Sequence, residues 1–215
     1  GGSMGSKEEK AAGHIETYVK TMPGVISDCR DWAREIGRTY SPDLIVFVAK
    51  SGFLFAKPMA EYFKCDMAGI LASRPSNGIK DKLKLVIGLM PQKAILALLK
   101  QPWMYRWNDR NRERNVETSV SFEREKAKRH RKILIVDDSV DTGWTLKRVC
   151  HTVRESFPDA MIKTAGYSLI SYSEKRICVD FYRYRNAIVL TATSRKSEQY
   201  PVFLEEYEKW MSEKE

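Results

Sequence analysis

Asp137 and Asp138 stand side by side at the end of the apolar run Ile133-Leu134-Ile135-Val136, and Asp141-Thr142-Gly143-Trp144-Thr145 follows two residues later. Two adjacent carboxylates repel one another and any bare phosphate, so such a pair suits neutral hydroxyls or a cation-bound part of a ligand. The stretch that follows has the opposite chemistry. Thr142 and Thr145 offer hydroxyls, Gly143 lets the backbone approach closely, and N–H groups at the start of a helix bind phosphate. The order of acids and then a hydroxyl-and-glycine loop suits a sugar that carries a phosphate.

The elements around these residues follow from the apolar pattern. Ile133 to Val136, bounded by a basic run and a polar turn, reads as a buried strand, and Leu146, Val149 and Val153 continue at helical spacing. Upstream, Val25, Ile26, Cys29, Trp32, Ala33 and Ile36 share one face of an amphipathic helix. Leu44-Ile45-Val46-Phe47-Val48 reads as a second buried parallel strand. It ends at Ala49-Lys50-Ser51-Gly52, a small basic loop that opens the apolar run Phe53 to Phe63. Pro58 in that run implies a kink or a helix start nearer Lys57. Two loops at the ends of strands in one parallel sheet share a crevice, so Lys50, Ser51 and Gly52 pair with the Asp137 to Thr145 stretch as a second anion-binding loop. Cys65 to Ser73 reads as a further strand with Arg74 just past its end, a candidate contact for the same anion, ahead of the loop residues Pro75-Ser76-Asn77-Gly78.

The segment from about 82 to 131 is an insertion. Leu83 to Met90 fits either a strand or a short helix, Ala94 to Leu99 reads as helix, and Pro102 to Trp107 sets three aromatics beside Arg106. Basic runs follow at Arg110 to Arg114 and at Arg124 to Lys132. The insertion fits a helical element packed on the core or on a second subunit, an interfacial patch at a membrane surface, or a nucleic-acid surface. Glutamates interrupt both basic runs and weaken the last. Beyond the central motif, Ile162 to Ile170, Ile177 to Tyr184 and Asn186 to Thr193 read as strands, Ser171 to Arg176 as a turn, and Leu204 to Met211 as a final helix.

Composition sets the outer bounds. The chain has 215 residues, 43% hydrophobic and 30% charged, with a net charge of +9. That charge fits an anionic small substrate, a nucleic acid or an anionic membrane surface. No apolar run approaches the ~18 residues that span a bilayer. Residues 1–10 read as a cloning remnant or disordered tail, and 14–215 as one domain. Cys29, Cys65, Cys150 and Cys178 lack metal-ligand pairing and read as small apolar residues in a reducing cytosol. The three histidines show no ligand spacing.

Ile-Leu-Ile-Val-Asp-Asp-Ser also opens a response-regulator receiver domain, in which such acids surround Mg²⁺. A receiver needs a full alternating β/α domain downstream, and only 78 residues follow Asp137. The whole pattern from Ile133 to Thr145 (apolar strand, two acids, three variable residues, Thr-Gly-x-Thr) instead resembles the donor-binding signature of type I phosphoribosyltransferases.

The resemblance implies an α/β, Rossmann-like fold: a central parallel sheet flanked by helices, with the basic helical insertion and a C-terminal hood. It implies that Asp137 and Asp138 hold the ribose hydroxyls of phosphoribosyl pyrophosphate (PRPP), that Thr142, Gly143, Trp144 and Thr145 cradle its 5-phosphate, and that Asp141 reaches the acceptor. Lys50, Ser51, Gly52 and Arg74 would face the pyrophosphate, and Mg²⁺ would enter with PRPP without a direct protein ligand. Trp144 fills a position more often held by a smaller residue, and Tyr182 in the aromatic tail fits either stacking on an acceptor ring or, as is commoner for an aromatic in a strand, packing in the core. The run from Ser41 to Ala60, with Asp-Asp-Ser-Val, resembles the subgroup found in bacterial surface-glycan gene clusters. That likeness leans the acceptor towards a sugar hydroxyl of a lipid-linked glycan, with a cytoplasmic protein touching the inner membrane face. Purine-type nucleobase salvage and a non-catalytic PRPP sensor that binds nucleic acid are the alternatives. The resemblance also admits a homodimer.

Overall fold

A computed structural model describes residues 15–73, 90–109 and 114–214, apart from the side chains of 102 and 106–108. Its centre is a six-stranded sheet in the order β4-β3-β2-β5-β6-β7. These strands are Asn115–Thr118 (β4), Asp66–Ser73 (β3), Leu44–Ala49 (β2), Lys132–Val140 (β5), Met161–Leu169 (β6) and Phe181–Arg185 (β7). All neighbours pair parallel except β3 with β4, which is antiparallel. Chain order reverses between β2 and β5. A sheet that winds outward in both directions from one pair of strands opens a crevice at their carboxyl ends, and that is where Lys50 and Asp137 emerge.

Alternation along the central strands feeds two apolar layers, because successive side chains point to opposite faces. Ile45 and Phe47 of β2 join one layer, beneath α1 (Met22–Gly37), α2 (Gly52–Phe63) and α7 (Tyr200–Ser212). Leu44, Val46 and Val48 join the other, beneath α5 (Val120–Lys126) and α6 (Trp144–Ser156). Buried on both faces, these strands are nearly continuous runs of Val, Ile and Leu, which is why they are readable from sequence. Among the described residues no helix is long and apolar enough to cross a membrane.

A small second layer sits beside the crevice. Glu16–Val19 (β1) pairs parallel with Ala187–Leu190 (β8), and Gln92–Leu99 (α3) and Pro102–Asp109 (α4) belong to the insertion. Of the insertion's aromatics, Trp103 is exposed and Tyr105 is buried.

Several expectations change. The insertion is not purely helical, since β4 extends the sheet edge. Residues 83–89 lie outside the described residues. The helix after β2 starts at Gly52, not near Lys57, with Pro58 inside it. Proline cannot make the backbone bond back to Leu54, and burial of Phe53, Leu54, Phe55 and Met59 on the sheet outweighs that loss. Residues 177–180 are irregular, with β7 starting only at Phe181, and Ser171–Lys175 forms a 3₁₀ turn. Cys178 is exposed and does not pack as an apolar residue, unlike Cys29 and Cys150.

Candidate active site

The β5 strand carries Asp137 and Asp138 to the mouth of the crevice. Asp137 is only 4% exposed, and the backbone N–H of Asp138 donates to its Oδ1 at 3.0 Å. Burial pushes the Asp137 carboxyl well above the usual carboxylate range, and the neighbouring Asp138 charge adds to that. Asp138 is raised as well, by burial first and then by Asp141, while hydrogen bonding from Asp137 and the Ser51 hydroxyl acts the other way. Without ligand, the pair therefore resists carrying two full charges. Donors brought by a ligand, such as a vicinal diol, relieve that cost.

Next to the acids, Gly143 caps α6 with φ +81° and provides no side-chain cap. The first N–H groups of α6 are thus left facing the crevice, in the arrangement that binds phosphate. A Cβ on Gly143 would lie 2.9 Å from Ile177 Cγ2, so the backbone conformation and the packing both demand glycine. Asp137, Ser139, Asp141, Thr142, Gly143 and Thr145 line one small recess. The Ser139 hydroxyl donates to Asp141 Oδ1 at 2.7 Å and holds that carboxylate at the rim.

The opposite wall is the β2–α2 loop. Its Ala49–Lys50 peptide is cis. Lys50 is exposed, with Nζ 5.9 Å from the Tyr207 ring centroid. Ser51 precedes α2 without a side-chain cap bond. A Cβ on Gly52 would come within 3.0 Å of the Val136 carbonyl, so glycine lets this loop lie directly against β5. The two predicted loops therefore meet. Arg74 lies outside the described residues.

Several residues were not anticipated. Arg114, 8% exposed, donates from Nε to Thr145 Oγ1 at 3.1 Å. Arg176 donates to the Thr142 carbonyl and pairs with Asp109 at 2.6 Å. Asp109 also accepts from Trp144 Nε1 at 2.8 Å and from Tyr172 at 3.0 Å. Burial alone would raise Asp109, yet Trp144, Tyr172 and Arg176 together hold it below the usual range. Trp144 is thus the peg that joins the Thr142–Thr145 loop to α4, with Arg176 stacked 4.0 Å from its ring. A smaller residue there would leave Asp109 without one of its donors. Only the position of Trp144 in the motif hinted at this.

Beside Asp138 and Asp141 lies a cavity of about 170 Å³, lined by Phe55, Leu99, Met104, Tyr105, Ile188 and Val189, with Ser139, Ser168 and Thr191 adding polar atoms. Tyr105, and not Tyr182, is the tyrosine that lines this cavity. The latter is 47% exposed on the edge strand β7 and does not line the cavity.

The donor set of the crevice also fits Mg²⁺. Hard carboxylate oxygens suit that ion, which keeps much of its water and is usually held together with substrate phosphates. A second group of potential ligands, Asp66, Glu125 and His130, lies at the amino end of the parallel strands, away from the crevice. It is closed internally: Lys128 pairs with Asp66 and Glu125, and His130 bonds Glu125 at 2.8 Å.

The family model for the phosphoribosyl transferase domain matches residues 17–167. The chain belongs to this family. No curated protein matches it significantly. Among solved structures, the phosphoribosyl transferase domain is similar to purine phosphoribosyltransferase from Pyrococcus horikoshii, at 16% identity over 84% of this chain and 95% of that one, with a TM-score of 0.55. It is also similar to Helicobacter pylori xanthine-guanine-hypoxanthine phosphoribosyltransferase, at 14% identity over 90% and 99% of the two chains, with a TM-score of 0.58. At such identities the likeness is one of fold.

Proposed function

We propose that this phosphoribosyl transferase domain moves the 5-phosphoribosyl group of PRPP to a nitrogen of a planar heterocycle, a purine-type base, and releases pyrophosphate. The observation that carries this reading is the junction of three sites: the Asp137–Asp138 pair, the phosphate loop and a mostly apolar cavity that opens on Asp138 and Asp141. A flat ring buries its faces against Leu99, Met104, Tyr105 and Val189 and turns its polar edge to the acids, as expected of a pocket with apolar walls and few convergent polar groups. The two named structural neighbours act on purines, which is consistent with this acceptor.

Asp137 and Asp138 grip the ribose hydroxyls, and their negative potential favours the positive charge that builds on the ring as pyrophosphate leaves. The start of α6 with Thr142 and Thr145 holds the 5-phosphate, Lys50 and the Ser51–Gly52 backbone face the pyrophosphate, and Asp141 takes the acceptor proton. Mg²⁺ carried in with PRPP beside Asp137 and Asp138 would supply positive charge to offset that of the departing pyrophosphate. The second reading is the glycan acceptor to which the Ser41–Ala60 resemblance leans. A sugar needs a hydroxyl-matching wall, and the cavity offers less of one than of apolar surface.

Pyrophosphate release, followed with PRPP and Mg²⁺ across nucleobases and sugar acceptors, tests the proposal. Turnover with a purine-type base is expected. Release with sugar acceptors alone would move the assignment to the glycan reading. Silence with every acceptor, together with salt-dependent nucleic-acid binding, would make the domain a sensor.

A further inference from the structure

Trp144, Lys147, Arg148, His151 and Arg154 recur every three or four residues and so share one face of α6, opposite the Leu146, Val149, Cys150 and Val153 face that fills the core. Such a face is ordinarily just solvated. Here a second element stands across from it. Arg114 and Asn115, at the entry to β4, close a groove of about 540 Å³ with that stripe. This volume falls in the ~300–1,000 Å³ range of small-molecule sites.

Among the described residues the lining contains four Lys or Arg side chains, a histidine and no carboxylate. The acid nearby on the helix, Glu155, is engaged with His151 at 3.3 Å. Uniform positive charge between two walls raises the local concentration of a multiply charged anion. A nucleic-acid strand is less well served, because it needs aromatic platforms. The indole of Trp144, the one aromatic among the described lining residues apart from His151, already has Arg176 at 4.0 Å and Lys147 at 5.6 Å from its ring.

We propose that this groove is a second anion site, separate from the catalytic crevice, for a small ligand with contiguous phosphates. Inorganic tripolyphosphate and the tail of a nucleoside triphosphate share that chemistry. The site is also wired to the crevice. Arg114 forms part of the groove wall and donates to Thr145 of the phosphate loop. A polyphosphate competes for that guanidinium, so occupancy lowers the affinity of the loop for the donor. The coupling rests on the function proposed above, whereas the binding does not.

Calorimetric titration of the full chain with tripolyphosphate, a nucleoside triphosphate and a short single-stranded RNA tests the site. Because the catalytic loops also attract phosphate, two variants separate the locations. Arg148→Glu with Arg154→Glu reverses two exposed groove charges, and Lys50→Glu reverses the crevice lysine. Each reversed groove charge is expected to weaken tripolyphosphate binding about tenfold, with PRPP binding unchanged, while Lys50→Glu leaves groove binding intact. A nucleoside triphosphate that binds as tripolyphosphate does, or more tightly, supports the site; RNA that binds more tightly than either overturns the assigned ligand. Unchanged tripolyphosphate affinity in the groove variant, or its loss in Lys50→Glu, overturns the site. A raised KM for the donor at saturating tripolyphosphate, absent in the groove variant, is the expected sign of coupling; an unmoved KM would discard the coupling and leave the binding result standing.

Discussion

Asp137→Asn should make this protein more stable and much less active, and the stability gain should depend on pH in a particular way. The carboxyl is 4% exposed, has a second acid beside it and is pushed up in pKa. Asparagine has almost the same shape and keeps the oxygen that accepts the Asp138 N–H. What it removes is the cost of a buried charge. Relief of this kind at a functional site is worth about 1–2 kcal/mol, and a kcal/mol moves Tm by about 2–4 °C in a chain of this size. The variant should therefore melt about 2–8 °C higher at neutral pH.

The sign follows from linkage. A carboxyl with a folded pKa above its unfolded value binds more protons in the native state, so its contribution to stability falls as pH rises. Below the unfolded value, about 3.9, wild type and variant should melt together. The gap should open as pH climbs from the unfolded value towards the raised native one and be full above it. Asp138 and Asp141 are present in both proteins, so the difference isolates Asp137 and its coupling to them. Scanning calorimetry of both proteins across this pH range measures the gap, and a donor-binding titration measures the lost grip on the diol, expected at about tenfold to a hundredfold. A variant that melts lower than wild type at pH 7, or a gap that does not change with pH, would show that Asp137 is not the strained acid described here.

Asp28 should behave in the opposite manner. Burial opposes its ionisation, but donors from Tyr167, Tyr184, Arg183 and Lys20 bring it down to about 2. Asp28→Asn should cost about 2 kcal/mol at pH 7, and urea melts should show this cost disappearing as pH falls from the unfolded value through the folded one. Gly143→Ala meets both a positive φ and Ile177, so it should lose about 1–2 kcal/mol in urea melts and raise the donor KM. Leu99→Trp, which fills the cavity, should raise the acceptor KM while donor binding by calorimetry stays as in wild type.

The strand, turn and helix start from Ile133 to Thr145 were legible because their parts are contiguous, with two acids and a glycine between them, and only local geometry is needed to fold them. The β2–α2 loop was legible by the same logic. What supports the Thr142–Thr145 loop was not. Arg114, Arg176 and Asp109 reach it from distant parts of the chain, and in sequence each is one more charge in a charged neighbourhood. Strand β4 hid for another reason. Asn115–Thr118 is four residues with no inward apolar pattern, and the edge of β3 imposes its conformation. An aromatic beside the acids was sought in the C-terminal tail, whereas α4 of the insertion brings Tyr105 to the cavity wall.

The pairing of β1 with β8 sets the order in which the molecule can be completed. Residues 16–19 are made well before their partner, 187–190, and contacts so far apart along the chain form late. The sheet strands β2, β3 and β5 all precede that moment, so the donor crevice can take shape on a nascent chain while Ile188, Val189 and Thr191 are still missing from the wall of the neighbouring cavity. The two strand-end loops around Asp137 are therefore complete in the growing chain before the last wall of the neighbouring cavity is made.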